Sequence, residues 1–283
     1  MPYSCKPLFG RIKAELKKEI ETFPEAPRVC VVVTGDDEPS QRYVRNKLRD
    51  FKELGIEGEV KRFDDFYELG FMLEKESKGG YYYDGIIVQR PICVNRMTPK
   101  YAAKYVAELI NPGQDIDGVK HDSLFMPPSV RGLDLLLREW DYNPAGKTAV
   151  VIGRGDVGRP VAEYLLGRDA TVTVCHSKTP ESERDQLMCH ADIIVGAAGL
   201  PEPIYPLAYP HGVVIDYGIT KGADGKLHGD FVTGREDYLH YQTPVPGGMG
   251  LMVRAGLLLN IVDAHKRRRL DGLGSVVTER KPL

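Results

Sequence analysis

The sequence has few cysteines, and their spacing favours neither a disulfide framework nor a metal site. Only five cysteines occur in 283 residues, and no two of them form a CxxC pair. An odd count without paired spacing argues against both kinds of cross-link. Cys189 and His190 are neighbours in the chain, but adjacent side chains rarely point at one metal ion. We therefore expect ordinary buried thiols and no metal centre.

Long apolar runs and an excess of one charge are also lacking. The chain has 38 basic and 40 acidic residues, a net charge of −2, so it has no broad basic field for nucleic acid or an anionic membrane. The one dense basic run, KRRR (266–269), fits the end of a helix, where cations complement the dipole. No apolar stretch approaches the roughly 20 residues of a membrane helix. The charged N-terminus lacks a signal-peptide core, which leads us to expect a cytoplasmic protein.

Hydrophobic residues make up 42% of the chain and charged residues 28%, as in ordinary globular proteins. Predicted strands such as RVCVVVTG (28–35) and DGIIVQRP (84–91) alternate with predicted helices, including 39–54 with Ser40 as its N-cap. A second series of strands starts at KTAVVIG (147–153). The pattern predicts an α/β protein with two domains. One comprises residues 1–130 and the returning C-terminal helix 250–283, and the other is a Rossmann-type domain over 131–249.

The second predicted domain carries a phosphate-binding pattern. Its first strand is followed by GRGDVG (153–158), which matches GxGxxG and opens a predicted helix. The glycines permit a tight turn, and the helix N-terminus then faces a pyrophosphate. The next strand ends in Cys-His-Ser-Lys-Thr (175–179) and lacks the acid that would bind an NAD ribose. Arg154, Ser177 and Lys178 instead favour the 2′-phosphate of NADP, although Ser177 and Lys178 could simply be solvated.

Polar side chains in the first predicted domain are candidates for catalysis. Tyr43 and Lys47 are four residues apart on a predicted helix and so share one face. Gln89 ends an apolar strand, where a buried amide needs a partner or a ligand. Asp115 and Asp117 lie in a Pro/Gly loop, and either could bind a guanidine-like ring edge or simply form a turn. Taken alone, each pattern is also compatible with a purely structural role.

Near the C-terminus, TPVPGGMG (243–250) combines two stiffening prolines with glycines that let backbone approach a ligand. Composition does not decide between a ligand loop and a structural one.

Seven segments in order resemble one family, the bifunctional methylenetetrahydrofolate dehydrogenase/methenyltetrahydrofolate cyclohydrolases. The similarity runs from about residue 35 to 264. The segments are GDDEPSQRYVRNK (35–47), DGIIVQRP (84–91), DIDG (115–118), VIGRGDVGRP (151–160), TVTVCHSKT (171–179), VVIDYGI (213–219) and TPVPGGMG (243–250).

The resemblance implies an N-terminal folate-binding, catalytic domain. It implies that Lys47 is the central residue of the cyclohydrolase step and that Tyr43 stacks against the folate. Gln89 would hold and tune Lys47, and Asp117 would bind the pterin. The 243–250 loop would contribute Pro246, Gly247 and Gly248 to substrate binding.

On the cofactor side, the resemblance implies NADP as coenzyme, with NAD as an alternative. The phosphate-loop residues would be Gly153, Arg154, Gly155, Asp156, Val157 and Gly158. Arg154 and Ser177 match the positions that meet the 2′-phosphate, and Ile219 matches a backbone contact near the nicotinamide. The family is typically homodimeric and serves one-carbon metabolism and purine biosynthesis.

The implied reaction oxidises 5,10-methylenetetrahydrofolate to the methenyl form and hydrolyses that product to 10-formyltetrahydrofolate. The sequence departs from the family in three places. The nucleotide loop is one residue shorter, with Gly155 in place of the usual serine, and segments 127–132 and 250–253 are altered. These departures keep two alternatives open. One is a monofunctional NAD(P)-dependent dehydrogenase acting on another substrate, and the other is a non-catalytic nucleotide-binding protein.

Overall fold

A computed structural model of the chain describes residues 2–35, 38–78, 82–95, 97–207, 212–233 and 239–278. Its contacts divide the chain into two compact units. Unit I comprises Ile12–Pro128 and Leu257–Leu283, and unit II comprises Met1–Arg11 and Ser129–Gly256. This division places residues 257 onward with the N-terminal half, but it assigns the first 11 residues and 250–256 to unit II, unlike the boundaries expected from sequence.

Unit I contains a three-stranded parallel sheet with helices between successive strands. The elements are α1 (Lys6–Ile20, which begins in unit II), β1 (Arg28–Val33), α2 (Glu38–Leu54), β2 (Glu57–Arg62), α3 (Phe66–Lys78), β3 (Gly85–Val88) and α4 (Pro99–Leu109). The strand order is β2-β1-β3. The central strand β1 is buried from Val29 to Val33, whereas β2 is exposed along most of its length. The continuous apolar run of β1, which is rich in valine, fits a strand covered on both faces.

Polar contacts hold the C-terminal helix in unit I. This helix, α8 (Met249–Thr278), brings His265 Nδ1 to 3.1 Å from the Asp84 carboxylate and Arg268 to the same distance. The Asp84 carboxylate also accepts the Arg28 backbone N–H at 2.7 Å. Burial opposes ionisation of Asp84, but these hydrogen bonds and the Arg268 charge hold its pKa below the ordinary value. Five residues before His265 on α8, the Asn260 side-chain amide donates to two backbone carbonyls of unit I.

Unit II contains a five-stranded parallel sheet. Its remaining elements are α5 (Pro128–Glu139), β4 (Thr148–Ile152), α6 (Gly158–Leu166), β5 (Thr171–Cys175), α7 (Glu181–Cys189), β6 (Ile193–Gly196), β7 (Val213–Asp216), β8 (Thr220–Lys221), β9 (Leu227–His228) and β10 (Tyr241–Gln242). The order is β10-β7-β6-β4-β5, with β8 and β9 forming a separate antiparallel pair. The order in which strands are added to the sheet reverses beside β4, with β5 on one side of it and β6 on the other. Ligands of doubly wound folds bind at such a switch point.

The sequence prediction differs from the structure in detail. Helix α2 begins at Glu38, so Ser40 lies inside its first turn and is not the N-cap; its hydroxyl instead donates to the Arg90 carbonyl at 2.9 Å. Sequence reasoning missed α7, β10 and the β8–β9 hairpin, because these elements are short or lack strong apolar periodicity. The loop residues Asp36 and Asp37 lie outside the described part of the chain.

Candidate functional site

The structure brings Lys47 and Gln89 together in unit I. Lys47 projects from α2, and Gln89 follows the last residue of β3. The lysine Nζ donates to the Gln89 Oε1 at 3.2 Å. Because the Gln89 backbone N–H donates to Val32 at 2.9 Å, the residue continues the ladder between β3 and β1 by one position. A helix and a sheet edge thus fix the two side chains independently.

A backbone carbonyl sets the orientation of the Gln89 amide. The Gln89 Nε2 donates to the Arg90 carbonyl at 3.1 Å, and the Ser40 hydroxyl donates to the same carbonyl. With its nitrogen engaged there, the amide must turn its oxygen toward Lys47. Among the described residues, no carboxylate lies within ion-pairing distance of Lys47. A neutral amide therefore orients the ammonium group, and two of its donors stay available for a ligand.

Tyr43 lies one turn before Lys47 on the same face of α2. It is 43% exposed, so its ring is accessible to a flat ligand. Burial of the remainder raises the pKa of the phenol, and the charge of Arg42 acts in the opposite direction. The hydroxyl therefore stays protonated at neutral pH and can donate a hydrogen bond.

The two acids of the 115–118 loop play different roles. The Asp115 carboxylate is fully buried and accepts the backbone N–H groups of Val119 and Lys120 at 3.1 and 2.9 Å. Burial raises its pKa, and these hydrogen bonds offset part of that effect. Asp115 thus has the turn-forming role. Asp117 is partly exposed and makes no hydrogen bond or ion pair to any described residue, so its carboxylate can accept from a ligand.

The glycine loop of unit II is shaped for close backbone packing. Gly153 has φ +113°, and a Cβ there would lie 2.2 Å from the Ala197 carbonyl oxygen. A Cβ on Gly158 would lie 2.1 Å from the Gly153 carbonyl oxygen, whereas one on Gly155 would meet no atom within 4 Å. Helix α6 begins at Gly158 without a side-chain cap. In its first turn, the Arg159 and Val161 N–H groups donate to the Gly155 and Val157 carbonyls at 3.1 and 3.2 Å, and Pro160 has no N–H. An anion would therefore meet the backbone of the glycine loop and the positive end of the helix dipole, and the loop fits the pyrophosphate of a dinucleotide.

Arg154 and Ser177 end up at the same edge of the five-stranded sheet. β4 and β5 pair in parallel with Ile152 opposite Cys175, and each candidate lies two residues beyond its strand. Both side chains are exposed. In the turn after β5, the His176 backbone N–H donates to the Thr179 hydroxyl at 3.0 Å. The arrangement gives a cation and a hydroxyl at the edge where a bound ribose would lie.

Two buried acids on the cofactor side escaped sequence reasoning. The Asp216 carboxylate, at the end of β7, accepts backbone N–H groups of Gly218, Asp230 and Phe231 at 2.8 to 3.0 Å. The Asp230 carboxylate accepts those of Ala198 and Leu200 at 2.7 Å each. Burial raises the pKa of Asp216 to about 6. The sequence offered a signal for Asp216, because it is an acid at the end of the apolar run GVVID. It offered no such signal for Asp230.

The 243–250 loop is anchored at its backbone. The Thr243 hydroxyl accepts the Asp216 backbone N–H at 2.8 Å, and the Cys5 N–H donates to the Gly247 carbonyl at 2.9 Å. A Cβ on Gly248 would lie 2.4 Å from the Pro244 carbonyl oxygen, so this glycine serves packing within the loop. Pro246 is exposed and Gly247 has φ +105°. The fixed backbone leaves Pro246 and Gly247 accessible to a ligand.

Within the ranges that the structure describes, no group of three or more His, Cys, Asp or Glu side chains could hold a metal ion. All five cysteines are free thiols, but Cys93 and Cys189 are exposed, so the expectation of buried thiols is wrong for these two. No helix of that part of the chain is long and apolar enough to cross a membrane.

A parallel sheet with a glycine phosphate loop, joined to a second α/β unit with an oriented lysine, defines a two-domain NAD(P)-dependent dehydrogenase. Two family models match the chain. "Tetrahydrofolate dehydrogenase/cyclohydrolase, catalytic domain" matches residues 4–117, and "Tetrahydrofolate dehydrogenase/cyclohydrolase, NAD(P)-binding domain" matches residues 127–269. The chain therefore belongs to the tetrahydrofolate dehydrogenase/cyclohydrolase family. This confirms the family and the two-domain α/β fold expected from the sequence.

Individual sequence relatives and solved structures are similar to this chain over nearly its whole length. "Bifunctional protein FolD" of Moorella thermoacetica is 37% identical over 285 residues, covering 93% of this chain and 97% of the relative. The bifunctional FolD structure from Campylobacter jejuni is 30% identical with a TM-score of 0.83, covering 94% and 98%. The Trypanosoma brucei FolD, solved with NADP cofactor and an inhibitor, is 27% identical with a TM-score of 0.81, covering 94% and 97%.

Proposed function

We propose that the protein oxidises 5,10-methylenetetrahydrofolate with NADP⁺ and then hydrolyses the methenyl product to 10-formyltetrahydrofolate. The observation that carries the proposal is the Lys47–Gln89 contact at 3.2 Å, in a chain that also has a glycine-rich phosphate loop. A dehydrogenase without the second activity would not need a lysine held at the folate side. The same contact argues against the monofunctional and non-catalytic alternatives.

In the first step, NADP⁺ supplies the hydride acceptor. The substrate methylene carbon loses a hydride with its electron pair, and the folate becomes the methenyl cation. No proton moves in this step, so the chain's contribution is alignment and support for the developing charge. We assign pterin binding to Asp117, whose carboxylate is free to accept from an amino group and a ring N–H. Tyr43 offers the ring that stacks near the reacting carbon.

In the second step, the oxygen of a water molecule bonds to the methenyl carbon. The water loses one proton as the C–O bond forms, which leaves a hydroxyl on that carbon. The bond from the carbon to one folate nitrogen then breaks as the nitrogen takes up a proton and the hydroxyl loses its proton to become the formyl carbonyl, so one proton is released overall. These proton transfers need a group near the carbon that can accept and return a proton. We assign this role to Lys47, with Gln89 holding its Nζ in place. The amide partner carries no charge, so it orients the lysine without pairing it to an anion.

For the coenzyme, we assign the pyrophosphate to residues 153–158 and the 2′-phosphate to Arg154 and Ser177. Ile219, 41% exposed and three residues beyond the end of β7, is assigned a backbone contact near the nicotinamide. Pro246, Gly247 and Gly248 are assigned to the substrate side. We also propose that the protein works as a cytoplasmic homodimer, with its product supplying purine biosynthesis.

The test uses purified protein, 5,10-methylenetetrahydrofolate and either NADP⁺ or NAD⁺. We expect the absorbance of reduced nicotinamide to rise with NADP⁺, and the methenyl absorbance to decay faster than in buffer. Turnover with NAD⁺ alone would contradict the assigned roles of Arg154 and Ser177. No reduction with either coenzyme would refute the proposed function.

A lysine pair on α2 tests the second step. Lys47→Met should abolish hydrolysis of supplied 5,10-methenyltetrahydrofolate, because it removes the proton carrier. Lys52→Met is the matched control, since Lys52 lies on the same helix, is exposed and is assigned no role. Hydrolysis that persists in Lys47→Met above the buffer rate would show that the assignment of Lys47 is wrong.

A further inference from the structure

The loop that follows β7 is held at every residue between the strand and Ile219. The Tyr217 backbone N–H donates to the Gly196 carbonyl at 2.8 Å, and the Gly218 N–H donates to the Asp216 carboxylate at 2.8 Å. A Cβ on Gly218 would lie 2.5 Å from atoms of Asp230, so the backbone at that position cannot shift toward the acid. Ile219 is the first residue of this loop that is exposed.

The side chain of Tyr217 ties this loop to another element of unit II. Its hydroxyl donates to the Ser129 carbonyl, in the first turn of α5, at 2.8 Å. The ring is partly exposed, but the hydroxyl lies in the interior, and burial raises the pKa of the phenol well above its ordinary value. The hydroxyl therefore remains a donor throughout the working pH range. Ser129 is itself buried, so its carbonyl cannot turn to water if the donor is removed.

These contacts distinguish Tyr217 from a core residue that only fills space. A phenylalanine would fill the same volume and keep the backbone bond to Gly196, but it would release the loop from α5. The anchored segment leads directly to Ile219, and a Cβ on Gly250 would lie 3.8 Å from the Ile219 side chain. Any shift of the loop thus moves the residue to which the nicotinamide contact is assigned.

We propose that Tyr217 is a positioning residue for hydride transfer, which acts through its hydroxyl bond to α5 by fixing the backbone at Ile219. The proposal rests on the proposed function, because it assumes that the nicotinamide binds beside this loop. Tyr217 has no assigned role in the lysine chemistry of unit I. Loss of the hydroxyl should therefore impair the oxidation and spare the hydrolysis.

The test compares Tyr217→Phe with a matched variant, Tyr142→Phe. Tyr142 also donates its hydroxyl to a backbone carbonyl of unit II, that of Asp192 at 3.4 Å, but Asp192 comes just before β6 and belongs to none of the assigned ligand loops. Loss of one hydrogen bond that positions a ligand corresponds to roughly a fivefold to tenfold effect. We expect Tyr217→Phe to lower dehydrogenase kcat/KM for NADP⁺ by about that factor and to raise the deuterium isotope effect on hydride transfer. Its cyclohydrolase rate should stay within about twofold of wild type.

Three outcomes would overturn the inference. One is an equal fall of both activities in Tyr217→Phe, which would indicate a general structural role. Another is an unchanged oxidation rate and isotope effect while the wild type turns over. The third is an equal effect in Tyr142→Phe. If the wild type itself does not reduce NADP⁺, the proposed function fails instead. In that case NADP binding, followed by protein fluorescence, still tests the loop, and equal affinity of wild type and Tyr217→Phe would overturn the inference.

Discussion

Substitution of Gly158 should remove dinucleotide binding while the rest of the chain folds. A methyl group there would lie 2.1 Å from the Gly153 carbonyl oxygen, about 0.9 Å closer than the 3.0 Å that real Cβ atoms keep. The atom in the way belongs to the backbone, so no side chain can rotate to make room. The first turn of α6 must therefore move away from the loop in Gly158→Ala.

The magnitude follows from the donors that move. Overpacking of this kind costs roughly 1–3 kcal/mol of folding free energy. Displacing one or two backbone N–H groups from a bound phosphate removes hydrogen bonds worth roughly 1.5–3 kcal/mol each. We therefore expect the Kd for NADP to rise at least about tenfold, which corresponds to about 1.4 kcal/mol, and about 100-fold if two donors are displaced.

The assay is a titration with NADP, followed by protein fluorescence, with Gly10→Ala in α1 as the control. A Cβ on Gly10 meets nothing within 4 Å, and its φ is outside the left-handed region. This variant should unfold at a slightly higher temperature, with a gain of about 0.4–1 kcal/mol from reduced freedom of the unfolded chain. Hydrolysis of supplied methenyl substrate reports on folding of unit I in both variants. If Gly158→Ala binds NADP as the wild type does, the steric reasoning is wrong.

Three further outcomes are expected. Asn260→Leu leaves two carbonyl acceptors unpaired, so its urea midpoint should fall by an amount equivalent to roughly 2–4 kcal/mol, with an unchanged slope; an unchanged midpoint would contradict the role of the amide. The pKa of Asp84 is lowered in the fold, so its contribution to stability is complete above the unfolded pKa of about 4 and is lost as pH falls through the folded value. Asp84→Asn should therefore flatten the acid side of the profile of Tm against pH. Asp216 has the opposite effect: because its pKa is raised to about 6, it adds stability as pH falls from 6 toward about 4. Finally, the double variant Arg154→Ala/Ser177→Ala should raise KM for NADP⁺ at least about tenfold and leave KM for NAD⁺ nearly unchanged, because only NADP carries the 2′-phosphate. An equal rise of KM for both coenzymes would contradict the assignment.

Sequence patterns predicted the elements that carry strong local signals. The apolar run of β1 and the glycine loop before α6 were recognised because burial on both faces and a tight turn leave clear marks in composition. The pairing of Lys47 with Gln89 was available only from resemblance, since 41 residues separate them in the chain. Asp230 and Asn260 were missed because their partners are backbone groups distant in sequence, which leave no residue pattern. Ser40 was misassigned because a serine at a helix start fits a cap, and only the fold shows the carbonyl that it reaches.

The Arg90 carbonyl has a consequence for how this site can evolve. A carbonyl oxygen offers two lone pairs, and here the Ser40 hydroxyl and the Gln89 amide both donate to it. A glutamate at position 89 would turn an oxygen, not an N–H, toward that carbonyl, so it would repel where glutamine binds. Positions 40, 89 and 47 are thus coupled through an atom that no substitution can alter. Related sequences that have given up the lysine should therefore be free to vary at the other two positions together, and co-variation of the three would mark the loss of hydrolysis.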